Sequence, residues 1–164
     1  MSVARVMPVQ KPGKSVQEVG TPPEFLDAVE RRFGEIAWDL AANGENHVVP
    51  GWCGPGSEYQ PDSLLCDWAG HRPGLLWLNP PYGEIGKWAA KCAEQSAAGA
   101  CRIAFLVPAS VGTNWFAAHV DRKALVLFLS PRLTFVGHTQ SYPKDLMLAV
   151  YGEPPGYECW RWKP

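Results

Sequence analysis

The chain has 164 residues, 46% hydrophobic and 19% charged, enough for one cooperative core and too few for two sizeable ones. Its formal net charge of -1 excludes a protein-wide positive field, so any contact with nucleic acid phosphates must use a local patch. Five cysteines without CxxC spacing argue against a disulfide framework or a zinc finger, and the absence of an eighteen-residue apolar run or a leader-like N-terminus makes a soluble cytoplasmic chain the expectation.

Residues 1–20 contain Pro8, Pro12, Gly13 and Gly20 and no apolar period, the composition of a flexible arm. Thr21-Pro22-Pro23-Glu24 then reads as a capping box: a hydroxyl cap, prolines at the start and a glutamate three residues after the cap. The predicted helix runs to about Phe33, with Phe25, Leu26, Val29 and Phe33 on one face, and Gly34 ends it. Residues 36–40 form a short apolar run that predicts a buried strand delivering Asp39 to its end. Residues 41–72 are rich in Gly, Pro, Asn and Asp and predict mostly loop, long enough that it either serves a function or conceals short strands. His47, Cys53, Cys66 and His71 in this span match no common zinc-ligand spacing.

Residues 75–78 predict a second buried strand, cut short by Asn79-Pro80-Pro81 because proline cannot continue a ladder. Ile85, Trp88, Ala89, Cys92 and Ala93 recur at helical spacing up to Gly99. Strands are predicted at 102–107, 124–129 and 146–151, with a short helix at 113–120. This alternation implies an α/β protein with a mostly parallel sheet and ligands beyond the carboxyl ends of its strands. The last two strands lack a helix between them and are expected to pair as an antiparallel edge. The resulting plan is an arm (1–20), one domain (21–152) and a C-terminal tail (153–164) in which Trp160 and Trp162 have no assigned place. Two basic groups stand out, Arg5, Lys11 and Lys14 in the arm and Arg122, Lys123, Arg132 and Lys144 later.

Asn79-Pro80-Pro81-Tyr82 has the residue types of a turn, yet it follows a buried strand, precedes a helix and lies downstream of a strand ending in an acid. An amino nitrogen conjugated to a ring is a poor nucleophile because its lone pair is delocalised. Two acceptors that bind both of its hydrogens, the Asn79 side-chain carbonyl and the Pro80 backbone carbonyl, draw it toward a tetrahedral geometry and disperse the positive charge of attack. The two prolines stiffen those acceptors, and Tyr82 presents a ring against which an extruded base can stack. No metal is needed for this chemistry.

From Thr21 to about Tyr151 the chain resembles the phage-type DNA N6-adenine methyltransferases. The resemblance rests on Thr21-Pro22, Trp38-Asp39-Leu40-Ala41-Ala42, Asn46, Asp62-Ser63-Leu64, Asp67-Trp68, Trp77-Leu78-Asn79-Pro80-Pro81-Tyr82 and Arg132-Leu133-Thr134-Phe135. It implies a single-domain Rossmann-like class I methyltransferase fold with helices on both faces, S-adenosylmethionine as cofactor and adenine in DNA as substrate, in a chain of phage or prophage origin. It further implies catalysis by the Asn79 loop and cofactor contacts from Asp39 and Ala41, with Thr21 toward the methionine end and Asp62 toward the adenosine. DNA contacts would come from Tyr82, Arg132 and Lys144.

Other readings stay open at several of these positions. Thr21 is also explained as a helix cap, Asp62 as an Asx turn and Arg132 as a solvated side chain. A single glycine, Gly44, follows the first strand where many methyltransferases have a glycine-rich turn, and no acid can be named for the ribose contact. With no added domain, target reading falls to the loops at 50–61 and 131–144, which implies short or relaxed recognition. The same Asn-Pro-Pro-Tyr loop also suits RNA or a protein glutamine, and a non-catalytic DNA- or cofactor-binding module is the alternative from another class.

Overall fold

The computed structural model describes residues 20–58, 60–71, 73–97 and 101–164. The predicted arm therefore lies outside the described residues except for Gly20, as do Arg5, Lys11, Lys14 and the helix-closing Gly99. Among the described residues α1 (Pro23–Phe33), β1 (Ile36–Asp39), β2 (Leu75–Leu78), α2 (Ile85–Ala97), β3 (Arg102–Pro108), α3 (Asn114–His119), β4 (Leu125–Ser130), β5 (Leu146–Tyr151) and β6 (Gly156–Arg161) follow one another. The six strands form one sheet in the order β1-β2-β3-β5-β4-β6.

Burial on two sides explains the strand sequences. Leu75 and Trp77 of β2 face α1, whose Phe25, Ala28, Val29 and Phe33 fill that side, whereas Leu76 and Leu78 face Trp88, Ala89 and Cys92 of α2. All four β2 residues are buried, as are all six of β5, and such strands read as continuous apolar runs rather than alternating ones. Helices thus cover both faces of a mixed α/β sheet, as expected.

The antiparallel element sits elsewhere than predicted. β5 pairs antiparallel with β4, but also with β3 on its other side, so it is an interior strand and not an edge. The edge beyond β4 belongs to β6, which runs parallel to β4 from Leu125 opposite Gly156 to Ser130 opposite Arg161. The segment read as a tail is therefore part of the sheet, and its tryptophans account for the error. Trp162 packs edge-on against Phe25 with ring centroids 5.2 Å apart, Trp160 lies 6.2 Å from Phe33, and Arg32 of α1 pairs with Glu158 at 2.7 Å. Packing onto α1 supplies what a strand with exposed, charged positions lacks in sequence.

The start of α1 also differs from expectation. Pro22 occupies the cap position and no side chain caps the helix, although a proline does stand at its start. The Thr21 hydroxyl is engaged elsewhere, as described below. The 41–72 span contains no strand of its own among its described residues, only two 3-10 turns, Ser63–Leu65 and Trp68–His71, and a bridge that sets Trp52 beside Asp39.

Topology splits the second basic group. β4 separates Arg122 and Lys123, before its first residue, from Arg132, after its last, and six residues of strand span roughly 20 Å. These four cations cannot form one patch. Only Arg132 and Lys144 lie at the sheet end where β1 and β2 terminate.

If β6 is structural, Trp162→Ala removes a ring that is 6% exposed and the bond from its Nε1 to Pro131 O at 2.7 Å. The expected loss is about 3–5 kcal/mol of stability, the range for truncating a buried tryptophan, read by chemical denaturation. A dispensable tail would show no change.

Candidate active site

The carboxyl ends of β1 and β2 lie side by side. Asp39 is in register with Trp77, and the Leu40 N–H donates to Trp77 O at 2.8 Å, one step past the strand. Because α1 runs into β1 through a tight connection at Gly34, its N-terminus returns to the same end of the sheet. Thr21, Asp39, Ala41, Asn46, Trp77 and Asn79 consequently line one small crevice. Ala41 also lines an adjoining cavity of about 270 Å³, whose other walls include Leu40, Gly54, Pro61, Asp62 and Trp88. Four of the residues predicted at the first strand end, the Asn79 loop and the helix start thus meet, and Asp62 stands next door.

Asp39 is 3% exposed. Its two carboxylate oxygens accept from the backbone N–H groups of Ala41 at 3.2 Å and Val48 at 3.1 Å, so it folds the chain after β1 back over the strand end. Burial nevertheless dominates and raises its pKa from 3.8 to about 6, against the opposing pull of those two amides and of His47. Each oxygen keeps accepting capacity toward the crevice. A cation placed there would relieve the desolvation that holds the carboxyl up.

The glycine expected after β1 comes instead from the returning chain. Residues 51–54 run alongside 39–42 through bonds from Asp39 N–H to Gly51 O, Cys53 N–H to Asp39 O and Ala42 N–H to Cys53 O. A side chain at Gly54, where φ is 144°, would put its Cβ 1.9 Å from Ala42 O. Only glycine allows that approach. The wall is secured by Trp38, whose indole N–H donates to Cys53 Sγ at 3.1 Å and whose ring stacks on His71 at 4.1 Å. Cys53 and His71 both donate to Gln60 Oε1, Cys66 donates to Asp62 O and His47 stacks on Trp52. Cys53 Sγ and His71 Nε2 thus lie 3.9 Å apart, but the four side chains do not gather at one point, and no group of three or more His, Cys, Asp or Glu side chains suited to a metal ion occurs among the described residues.

Asn79 is held on both sides of its carboxamide. Nδ2 donates to Thr21 Oγ1 at 3.3 Å, and Oδ1 accepts from the Tyr82 hydroxyl at 3.1 Å. Thr21 therefore serves Asn79 and not the helix cap. Pro80 is buried, and Pro81 leads into the 3-10 turn Tyr82–Glu84 that feeds α2. Tyr82 packs into both core clusters, and burial raises its pKa, so the phenol keeps its proton and remains a donor. Its ring meets the edge of Tyr142 at 6.1 Å, and Tyr142 in turn meets Phe135 at 5.6 Å.

Tyr142 is the residue at this site that sequence reading missed. It lies in the 131–145 loop, which leaves β4 and re-enters at β5 at the same sheet end, and is tied down by Tyr142 N–H to Leu133 O and Val136 N–H to Gly20 O. An isolated aromatic in a polar stretch gives no local sign of such a contact. Arg132 in this loop pairs with Asp145 at 3.0 Å with its side chain half exposed, and Lys144 is exposed. Neither lines the two cavities. Asp62 accepts from Leu64 N–H at 3.1 Å and caps the first 3-10 turn, so the turn reading holds there together with its place on the cavity wall.

Residues 11–147 match a model of the DNA N-6-adenine-methyltransferase (Dam) family, a match that ends before β6. Over 114 residues the chain is 31% identical to the DNA N-6-adenine-methyltransferase of Escherichia phage T1, covering 70% of this chain and 45% of that relative. The chain thus spans about half the length of the curated relative it matches. No solved structure matches it.

The Asp39 shift has a definite sign. Folding raises its pKa from 3.8 to about 6, so the folded chain binds this proton more tightly than the unfolded chain does. The contribution is complete below the unfolded value and is lost as pH rises through the folded one. Relative to Asp39→Asn, the wild type should lose about 3 kcal/mol of stability between roughly pH 4 and pH 7. Denaturation series at several pH values read the difference, and parallel curves for the two proteins would contradict it.

Proposed function

This chain belongs to the DNA N-6-adenine-methyltransferase (Dam) family, and on that premise we propose that it transfers a methyl group from S-adenosylmethionine to N6 of adenine in DNA. The observation that carries the reading is the meeting of Asn79 and the buried Asp39 around one crevice at the ends of adjacent strands. The mixed sheet with helices on both faces supports a single Rossmann-like class I domain that starts near Thr21 and includes β6.

The residues fit the cofactor chemically. Asp39, an ionisable carboxyl held up by burial, suits the methionine ammonium, with Thr21 and Ala41 beside it. The cavity bounded by Leu40, Pro61, Trp88 and Asp62 combines apolar walls with one carboxylate, which suits an adenosine moiety. When bound, the cofactor supplies an electrophilic methyl on a sulfonium. This chain's own residues bind, orient and polarise.

At the reacting end Asn79 Oδ1 and Pro80 O accept from the adenine amino group, localise its lone pair and stabilise the charge that develops on nitrogen. Asn79 Oδ1 accepts from the Tyr82 hydroxyl and keeps a second lone pair; in this reading the amino group approaches the same oxygen and displaces the phenol. The Tyr82 ring, with Tyr142 at its edge, is the aromatic surface beside the Asn79 carboxamide against which an extruded base would stack. Arg132 and Lys144 flank this end and serve as phosphate contacts, which position the duplex without reading its sequence. The 131–145 loop is the nearest candidate for reading neighbouring bases. The place of action would be the cytoplasm of a phage's bacterial host.

The test offers radiolabelled cofactor with DNA, RNA and protein to the purified chain. Label in adenine of DNA is expected; label confined to RNA or protein would redirect the substrate, and none at all would favour a binding module. Asn79→Ala should reduce kcat on DNA by at least about 100-fold, the scale of losing one aligned polar group at the reacting atom. Cofactor affinity should stay within a few-fold. Equal turnover in the variant would remove Asn79 from catalysis.

A further inference from the structure

The side-chain amide of Asn79 can serve as an acceptor toward the substrate only if its oxygen, and not its nitrogen, points outward from the loop. An asparagine amide has nearly equal shape in its two orientations, so something must choose between them. Two hydroxyls flank it: Thr21 Oγ1 at 3.3 Å from Nδ2 and the Tyr82 hydroxyl at 3.1 Å from Oδ1. They are not equivalent. A phenol's lone pairs are drawn into its ring, making it the better donor and the poorer acceptor, whereas an aliphatic hydroxyl accepts well.

Burial reinforces the difference. Thr21 is 6% exposed and lacks competing water, so the amide N–H it accepts from has little alternative. Thr21 is itself fixed: Pro22 and Pro23 follow it into α1, and Gly20 before it accepts from Val136 N–H at 2.9 Å.

We propose that Thr21 is a positioning residue that sets the orientation of the Asn79 amide, aiming Oδ1 at the place now taken by the Tyr82 hydroxyl, and that this hydroxyl marks where the substrate's amino nitrogen binds. The proposal rests on the reading of Asn79 as the acceptor and adds a role for Thr21 distinct from contact with the cofactor. A phenol O–H and an arylamine N–H present the same kind of donor to the same oxygen. The site is thus held ready by an internal stand-in, and substrate entry exchanges one donor for another.

The variant is Thr21→Val, which keeps the branched shape and removes the acceptor, with Thr21→Ser as the restoring control. At saturating DNA and cofactor, Thr21→Val should lower kcat about 5- to 10-fold, the scale of one neutral hydrogen bond, while the KM for DNA changes less than about twofold. Thr21→Ser should recover most of the rate. An unchanged kcat with weakened cofactor binding would overturn the proposal and leave Thr21 as a cofactor ligand. A second measurement needs no turnover. In nitrogen-15-labelled protein the Asn79 side-chain NH2 pair should shift and exchange faster in Thr21→Val but not in Thr21→Ser, and an unperturbed pair in the valine variant would equally overturn it. Should the wild type fail to methylate DNA, the substrate reading falls while the resonance measurement still decides the role of Thr21.

Discussion

The bond from Leu40 N–H to Trp77 O carries the pairing of β1 and β2 one residue beyond the regular strands, and the site follows from it. It aligns the two carboxyl ends, so that the acid closing one strand and the asparagine following the other face a common space. Asp39 then spends its oxygens on Ala41 and Val48, which curls the following chain over the strand end. The 51–54 segment fits against that curl only because Gly54 brings no side chain to Ala42 O. Each step is a short contact to the backbone, and each brings the next group within reach.

Charge is arranged locally. A chain with a net charge of -1 has no general attraction for a polyanion, and the fold divides its later cations between opposite ends of β4. Arg132 is partly neutralised by Asp145, an exposed pair worth little in stability. The buried carboxyl behaves in the opposite way: removed from water, it holds its proton up to about pH 6.

How much of this was legible in sequence depended on whether the cause was local. β2 and β5 were found at their observed limits because strands buried on both faces show as unbroken apolar runs. Asn79 stood out because two prolines end β2, and Asp39 because an acid closes β1. β6 was invisible for the converse reason: Tyr157, Glu158, Cys159 and Arg161 face solvent or α1 on an edge, and the strand is defined by its ladder with β4 and by packing on α1, more than a hundred residues earlier in the chain. The capping box failed although every residue type was correct, since the Thr21 hydroxyl had a second partner that sequence spacing cannot reveal. Tyr142 likewise gains its meaning only from a loop that returns to the site.

The interior place of β5 has a further consequence for how the sheet is assembled. β4 and β6 join β1, β2 and β3 only through β5, which is synthesised after β4 and must slip between two strands already made. Until then the growing chain carries two unfinished ladders, one along β3 and one along β4, each an open template for wrong pairing. Closure is a late, long-range event of the kind that slows folding. The same closure draws the 131–145 loop across the strand ends and seats Tyr142 against Tyr82, so the completed sheet and the completed site arrive together.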